Sequence, residues 1–169
     1  KDMQDTLPIH FAPLQGYTEA IYRNAHDAFF GGVDTYYTPF VRLEKGNFRR
    51  RDVRGIEPEN NGVPHLIPQL IASSAEKAEV ILSLFIEKGY QEVDINLGCP
   101  FPLLAKRHNG SGILPYPEEV KALLSIVTRY PQISFSVKMR LGWEQPDECL
   151  ALAPILNDPV SYTHLRAHE

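Results

Sequence analysis

Short apolar or β-branched runs alternate along this chain with stretches in which apolar residues recur every three or four positions. The runs His10–Leu14, Val33–Thr38, His65–Ile71, Glu92–Asn96 and Ile133–Met139 read as strands. Between them, Thr18–Phe29, Ser74–Lys88 and Pro117–Thr128 carry the helical spacing. Their ends hold the expected chemistry: Ser73 or Ser74 for an N-cap, Pro117 for a first turn, Gly31 and Gly89 for C-terminal caps. This order predicts about five βα units around a parallel sheet.

An open doubly wound sheet and a (β/α)8 barrel both begin this way, and periodicity does not separate them. The turn after the first strand, FAPLQGYTEA, contains only Gly16, so the glycine-rich dinucleotide fingerprint is absent and the nucleotide-binding open sheet is disfavoured. A full barrel takes roughly 250 residues. The 169 residues supply material for about five of its eight strands. The expected fold is α/β, a partial (β/α)8 TIM barrel, with residues 1–160 as the N-terminal part of a truncated domain. Ser161–Glu169, SYTHLRAHE, changes character abruptly and resembles translated sequencing-adapter sequence, so residues 161–169 are read as a non-native tail.

With 43% hydrophobic and 22% charged residues, disorder is not the default. No apolar run is long enough for a membrane span and the opening KDMQDTLPIHF has no basic n-region, so a cytoplasmic setting is expected. Cys99 and Cys149 form neither a disulfide framework nor a metal signature, and His10, His26 and His65 have no ligand spacing. No metal is expected. Cys149, in the helical pattern DECLALAP, reads as packing. The net charge of −4 excludes a uniformly basic coat, but RLEKGNFRRRDVR, from Arg42 to Arg54, is locally cationic and either meets phosphate or is a solvated helix.

Catalytic groups in a barrel sit at the C-terminal ends of strands. Here the first strand leads into Pro13-Leu14-Gln15-Gly16, the third contains Gln69, the fourth leads into Asn96-Leu97-Gly98-Cys99-Pro100, and the fifth ends in Lys138 and Arg140. Lys138 closes an otherwise apolar strand, where an unpaired ammonium would be costly to bury, and so needs an anionic partner. Trp143, just past that strand, lines the site or packs beneath it.

The segments APLQGYTE, YTPFVR, PQLIAS, DINLGCPFPLLAKRHNGSGIL and VKMRLGW resemble, in order, successive motifs of the tRNA-dihydrouridine synthases, FMN-containing (β/α)8 enzymes. The likeness runs from about Ile9 to Trp143. It implies an enzyme that adds hydride from FMN, itself reduced by NADPH, to one carbon of the uridine C5=C6 bond in tRNA while an acid protonates the other. Cys99 stands where the family has its catalytic cysteine; a thiol of reference pKa about 8.5 is mostly neutral at pH 7 and suits the acid. The competing reading is a small cysteine filling space.

The resemblance further implies flavin contacts from Pro13, Leu14, Gly16, Gln69 and Lys138. It puts Asn96 on the uracil edge, and Arg140 and the loop Lys106-Arg107-His108 on the rim facing RNA. A strand-end hydrogen bond for Gln69, a loop cap for Asn96 and solvated surface charge for the cations are the plain alternatives. The family's later strands, with the flavin phosphate site, and its C-terminal tRNA-binding domain have no counterpart here, so residues 1–160 alone are expected to bind FMN weakly or not at all. Two rivals stand beside this reading. One is an FMN barrel of the dihydroorotate or dihydropyrimidine dehydrogenase type, which needs a closed pocket and not a cationic rim. The other is a non-catalytic RNA-binding module, which leaves Cys99 and Lys138 unexplained. Oligomeric state and the modified uridine are not legible.

Overall fold

A computed structural model describes residues 7–157; the tail at 161–169 lies outside the described residues. The strands are β1 (His10–Phe11), β2 (Thr35–Tyr37), β3 (Leu43–Glu44), β4 (Asn47–Phe48), β5 (Leu66–Ile67), β6 (Gln69–Leu70), β7 (Glu92–Leu97) and β8 (Ser134–Met139). The helices are α1 (Ala20–Phe29), α2 (Arg50–Ile56), α3 (Ala75–Glu87), α4 (Pro102–Ala105), α5 (Pro117–Leu124), α6 (Ile126–Arg129) and α7 (Glu148–Leu156). β1, β2 and β5 form one parallel sheet and β6, β7 and β8 another, while β3 and β4 make an antiparallel hairpin.

The two parallel sheets meet at Pro68. This residue has no N–H to donate, which interrupts the predicted strand His65–Ile71 between β5 and β6. Its carbonyl accepts from Asp94 N at 3.0 Å, and Val41 bridges to Leu70 in parallel, so neighbouring parallel strands follow chain order across the break. Pro13 likewise lies beyond β1, which is shorter than the predicted His10–Leu14. The predicted helix Pro117–Thr128 is two helices, α5 and α6, parted at Ser125. Ser74, not Ser73, caps α3, its hydroxyl accepting from Lys77 N at 3.4 Å.

Register sorts β7 and β8 into two faces. Val93, Ile95 and Leu97 align with Phe135, Val137 and Met139, and all are buried. Ala78, Ile81, Leu82 and Phe85 of α3, Val120, Leu123 and Leu124 of α5, and Leu152 and Leu156 of α7 pack against them in one continuous core. Each fully buried aliphatic or Phe side chain contributes about 1.5–3 kcal/mol, so this face anchors the sheet. The opposite face carries Asp94 and Asn96 of β7, Ser136 and Lys138 of β8, and Gln69 of β6. Parallel strands ordinarily bury apolar residues on both faces, so a polar row here is informative.

Candidate active site at the strand ends

Asp94 is the centre of that row. Its Oδ1 accepts from Ser136 Oγ at 2.7 Å and its Oδ2 from Gln69 Nε2 at 2.6 Å. Gln69 Oε1 accepts from Asn96 Nδ2 at 2.8 Å, and Asn96 Oδ1 accepts from the N–H groups of Gly98 and Cys99 at 3.0 and 2.9 Å. A single chain of hydrogen bonds thus runs from β8 through β7 and β6 to the backbone of Cys99. Gln69 N donates to Thr38 Oγ1 at 3.0 Å, tying in the segment after β2. Burial pushes the Asp94 carboxyl up from 3.8 to about 6, with the bonds from Ser136 and Gln69 and the charge of Lys138 pulling the other way. Lys138 pairs with Asn96 in register and is half-buried.

The loop after β7 is shaped around Cys99. Its carbonyl accepts from Ser111 N and Ser111 Oγ, both at 3.0 Å, and its half-buried side chain packs on Phe40, Ile71 and Leu104. Gly110 has φ +59, and a Cβ there would lie 2.6 Å from the Cys99 carbonyl oxygen. A Cβ on Gly112 would run into the Ala105 backbone. The NGSGI segment therefore needs its glycines to close on the cysteine.

The turn after β1 is separate in construction. Thr18 Oγ1 accepts from Leu14 N at 2.8 Å, Tyr17 N donates to Leu14 O at 3.0 Å, and Gly16 takes φ +85. Pro13 is half-buried, Leu14 is exposed, and the neighbouring Gln15 Oε1 is buried without a hydrogen-bond partner. Lys106 and Arg107 are exposed just past α4, and Arg140 is exposed past β8. The loop from Arg140 through Trp143 to Pro146 encloses a pocket of about 380 Å³. Glu148 holds that loop by accepting from the N–H groups of Trp143, Glu144 and Gln145 at 2.7–3.0 Å. Burial raises its pKa, but these three bonds outweigh it and hold the carboxyl below its ordinary range.

The structure brings Gln69, Asn96 and Cys99 into one bonded group with Lys138 alongside. Asp94, Ser111 and Ser136 were not singled out from the sequence. The alternation in EVDINL, with Asp94 two residues before Asn96 and so on the same face, is the signal that finds the first. The cationic run Arg42–Arg54 is partly neutralised: Arg49 makes two 2.8 Å bonds to Asp52, Arg51 lies 3.8 Å from Asp52, and Arg54 lies 3.5 Å from Glu19. Among the described residues no group of three or more His, Cys, Asp or Glu residues could hold a metal, and no helix is long and apolar enough to cross a membrane.

A family model described as dihydrouridine synthase matches residues 10–159. The tRNA-dihydrouridine(16) synthase of Pseudomonas putida is 30% identical over 171 residues, covering 96% of this chain and 52% of that protein. The probable tRNA-dihydrouridine synthase 1 of Synechocystis sp. is 29% identical over 139 residues, 79% of this chain and 37% of that protein. The tRNA-dihydrouridine synthase B of Klebsiella pneumoniae is 30% identical over 91 residues, 53% of this chain and 28% of that protein. The chain spans from about a quarter to about half the length of these curated relatives.

Proposed function

The chain belongs to the dihydrouridine synthase family, and on that premise we propose that it forms the N-terminal part, residues 1–160, of a (β/α)8 flavoenzyme that reduces uridine in tRNA to dihydrouridine. Parallel strands in chain order with helices packed on one face support the barrel. The observation that carries the chemistry is the buried chain Ser136–Asp94–Gln69–Asn96, which ends on the backbone of Cys99.

FMN, reduced by NADPH, supplies hydride to one carbon of the C5=C6 bond when bound. Cys99 gives the Sγ proton to the other carbon, so one two-electron reduction adds two hydrogens. Gln69 Nε2 and Asn96 Nδ2 each commit one hydrogen within the chain and keep a second. With the half-buried Lys138 ammonium beside them, this donor set fits the oxygen- and nitrogen-edged rings of a flavin and a uracil. Gln69 and Lys138 face the flavin in this reading, with Pro13, Leu14 and Gly16 bordering it. Asn96 faces the uracil, and Lys106, Arg107 and Arg140 face the RNA. Fixing the Cys99 backbone by two acceptor and one donor interactions keeps the thiol in reach of the base without movement at the moment of proton transfer. The phosphate of FMN is expected on later strands, so residues 1–160 alone would bind it weakly and be inactive.

The test uses the complete reading frame without residues 161–169, assayed with NADPH and unmodified tRNA, with nucleosides read by mass spectrometry. Dihydrouridine in the parent and its loss in Cys99→Ala is the expected result. Turnover of free uracil or dihydroorotate in place of tRNA would overturn the substrate. Full activity in Cys99→Ala would overturn the acid.

A further inference from the structure

A groove of about 490 Å³ lies between the β3–β4 hairpin, the first turns of α3 and the loop after α4. Its floor is apolar and buried: Ile71, Ala72, Ile81 and Leu104. Its rim carries Arg42, Lys45, Lys77 and Arg107 against a single carboxylate, Glu44. Clefts of this size with an apolar floor and a few placed polar groups are the usual form of a ligand site.

These cations come from three parts of the sequence, and the fold presents them deliberately. Lys45 and Gly46 form the two-residue loop of the hairpin with φ +51 and +80, the left-handed pair of a type I′ turn, which fixes the Lys45 stem at the groove edge. Arg42 Nη2 lies 3.2 Å from Glu44, while its Nε is buried with no hydrogen-bond partner. Lys77 Nζ donates to Ser73 Oγ at 2.9 Å, and among the described residues Lys45, Lys77 and Arg107 make no ion pair. Three other cations of the Arg42–Arg54 run are diverted, Arg49 and Arg51 to Asp52 and Arg54 to Glu19, while the exposed Arg50 of α2 does not line the groove.

Ile71 and Leu104 of the groove floor are also the residues on which Cys99 packs. The groove and the proposed acid therefore adjoin the same two side chains. From this we infer that the groove holds the sugar-phosphate backbone of the RNA strand beside the target uridine. Phosphates lie against Arg42, Lys45, Lys77 and Arg107, and ribose carbons lie over the apolar floor. The inference rests on the tRNA reading above for the identity of the strand. Its chemistry needs only a polyanion with an apolar sugar face.

The experiment measures binding of a fluorescently labelled, unmodified tRNA transcript to the full-length protein between about 50 and 200 mM salt, where phosphate contacts set the slope of log K against log salt. Lys45→Ala, Lys77→Ala and Arg107→Ala are each exposed and are checked for folding by circular dichroism. Lys121→Ala, an exposed lysine of α5 outside the groove, is the charge-matched control. Each groove variant is expected to reduce the slope by about 0.7, and the triple variant by about 2, with the control unchanged. Slopes equal to the parent's in the groove variants, or an equal reduction in Lys121→Ala, overturn the inference. Dihydrouridine formation by the parent is scored separately. If it is absent while the slopes respond, the proposed reaction falls and the nucleic-acid groove stands. If it is present while the slopes do not move, the reverse holds.

Discussion

Asp94→Asn isolates the electrostatics of the buried chain from its geometry. The substitution is nearly isosteric: Oδ1 of the new amide accepts from Gln69 Nε2, and its Nδ2 donates to Ser136 Oγ, a hydroxyl that can accept. What disappears is the ionisation. Burial holds the Asp94 carboxyl at about 6 against an ordinary 3.8, so the folded state binds the proton more tightly than the unfolded chain. The stability this confers is fully present below about pH 4 and is lost as the pH rises through about 6. At about 1.4 kcal/mol per pH unit the interval amounts to about 3 kcal/mol. The variant lacks this loss. The difference in unfolding free energy, variant minus parent, therefore increases by up to about 3 kcal/mol between about pH 4 and pH 8. Urea unfolding followed by circular dichroism across that range reads it directly, since the other titrating groups cancel in the comparison. A difference that does not change with pH refutes the buried ionisation. A difference that falls with pH means Lys138 and the hydrogen bonds outweigh burial.

Asn96→Ala leaves Gln69 Oε1 and the N–H groups of Gly98 and Cys99 without their partner, at a cost of about 2–4 kcal/mol in urea unfolding. It should also speed alkylation of Cys99 by iodoacetamide, and unchanged stability and rate together would refute the loop-holding role. Gly110→Ala forces a Cβ to 2.6 Å from the Cys99 carbonyl oxygen at φ +59, so the loop must shift. A fall in Tm of several degrees is expected, corresponding to about 1–3 kcal/mol of strain, and an unaltered Tm would refute it. Arg23→Lys tests a buried fork: Nη1 reaches Thr18 O at 2.6 Å, and Nη2 reaches Gly55 O at 2.8 Å and Asn61 Oδ1 at 2.6 Å. An ammonium cannot span these three acceptors, and a loss of about 2 kcal/mol in unfolding free energy is expected even though the charge is kept.

The strands around the core were legible because β-branched and apolar runs such as EVDINL and ISFSV have no other stable home. Their ends were less so. Pro68 was in view within His65–Ile71, yet a count of apolar residues hides a missing N–H that divides one strand between two neighbours. The β3–β4 hairpin was invisible because RLEKGNFR has no apolar alternation, and only the left-handed Lys45-Gly46 pair marks its turn. Motif resemblance singles out Cys99, Asn96 and Gln69 as candidates. It does not reveal their mutual bonds, because Gln69 and Asn96 stand 27 residues apart in sequence. Asp94 sits on their polar face as well. In a strand buried between layers, a carboxylate on the face opposite the helices costs too much to keep unless several donors hold it. Its presence at that position is itself evidence of a polar interior.

Charge behaves the same way. A run of six cations between Arg42 and Arg54 reads as one basic patch when summed along the chain. Folding brings three of them to carboxylates: Arg49, at the N-cap of α2, and Arg51 meet Asp52 of the same helix, and Arg54 meets Glu19. The same folding brings Lys77 and Arg107, which no local sum connects, to the groove that Arg42 and Lys45 border. The electrostatic pull on a polyanion follows the potential that survives this pairing. Substitutions at Arg49 or Arg51 should therefore act on stability through Asp52, whose carboxyl burial raises and these guanidinium groups pull back, before they alter the proposed RNA binding. On the proposed reading, the salt dependence of binding is set by Lys45, Lys77 and Arg107, the groove cations that have no carboxylate partner among the described residues.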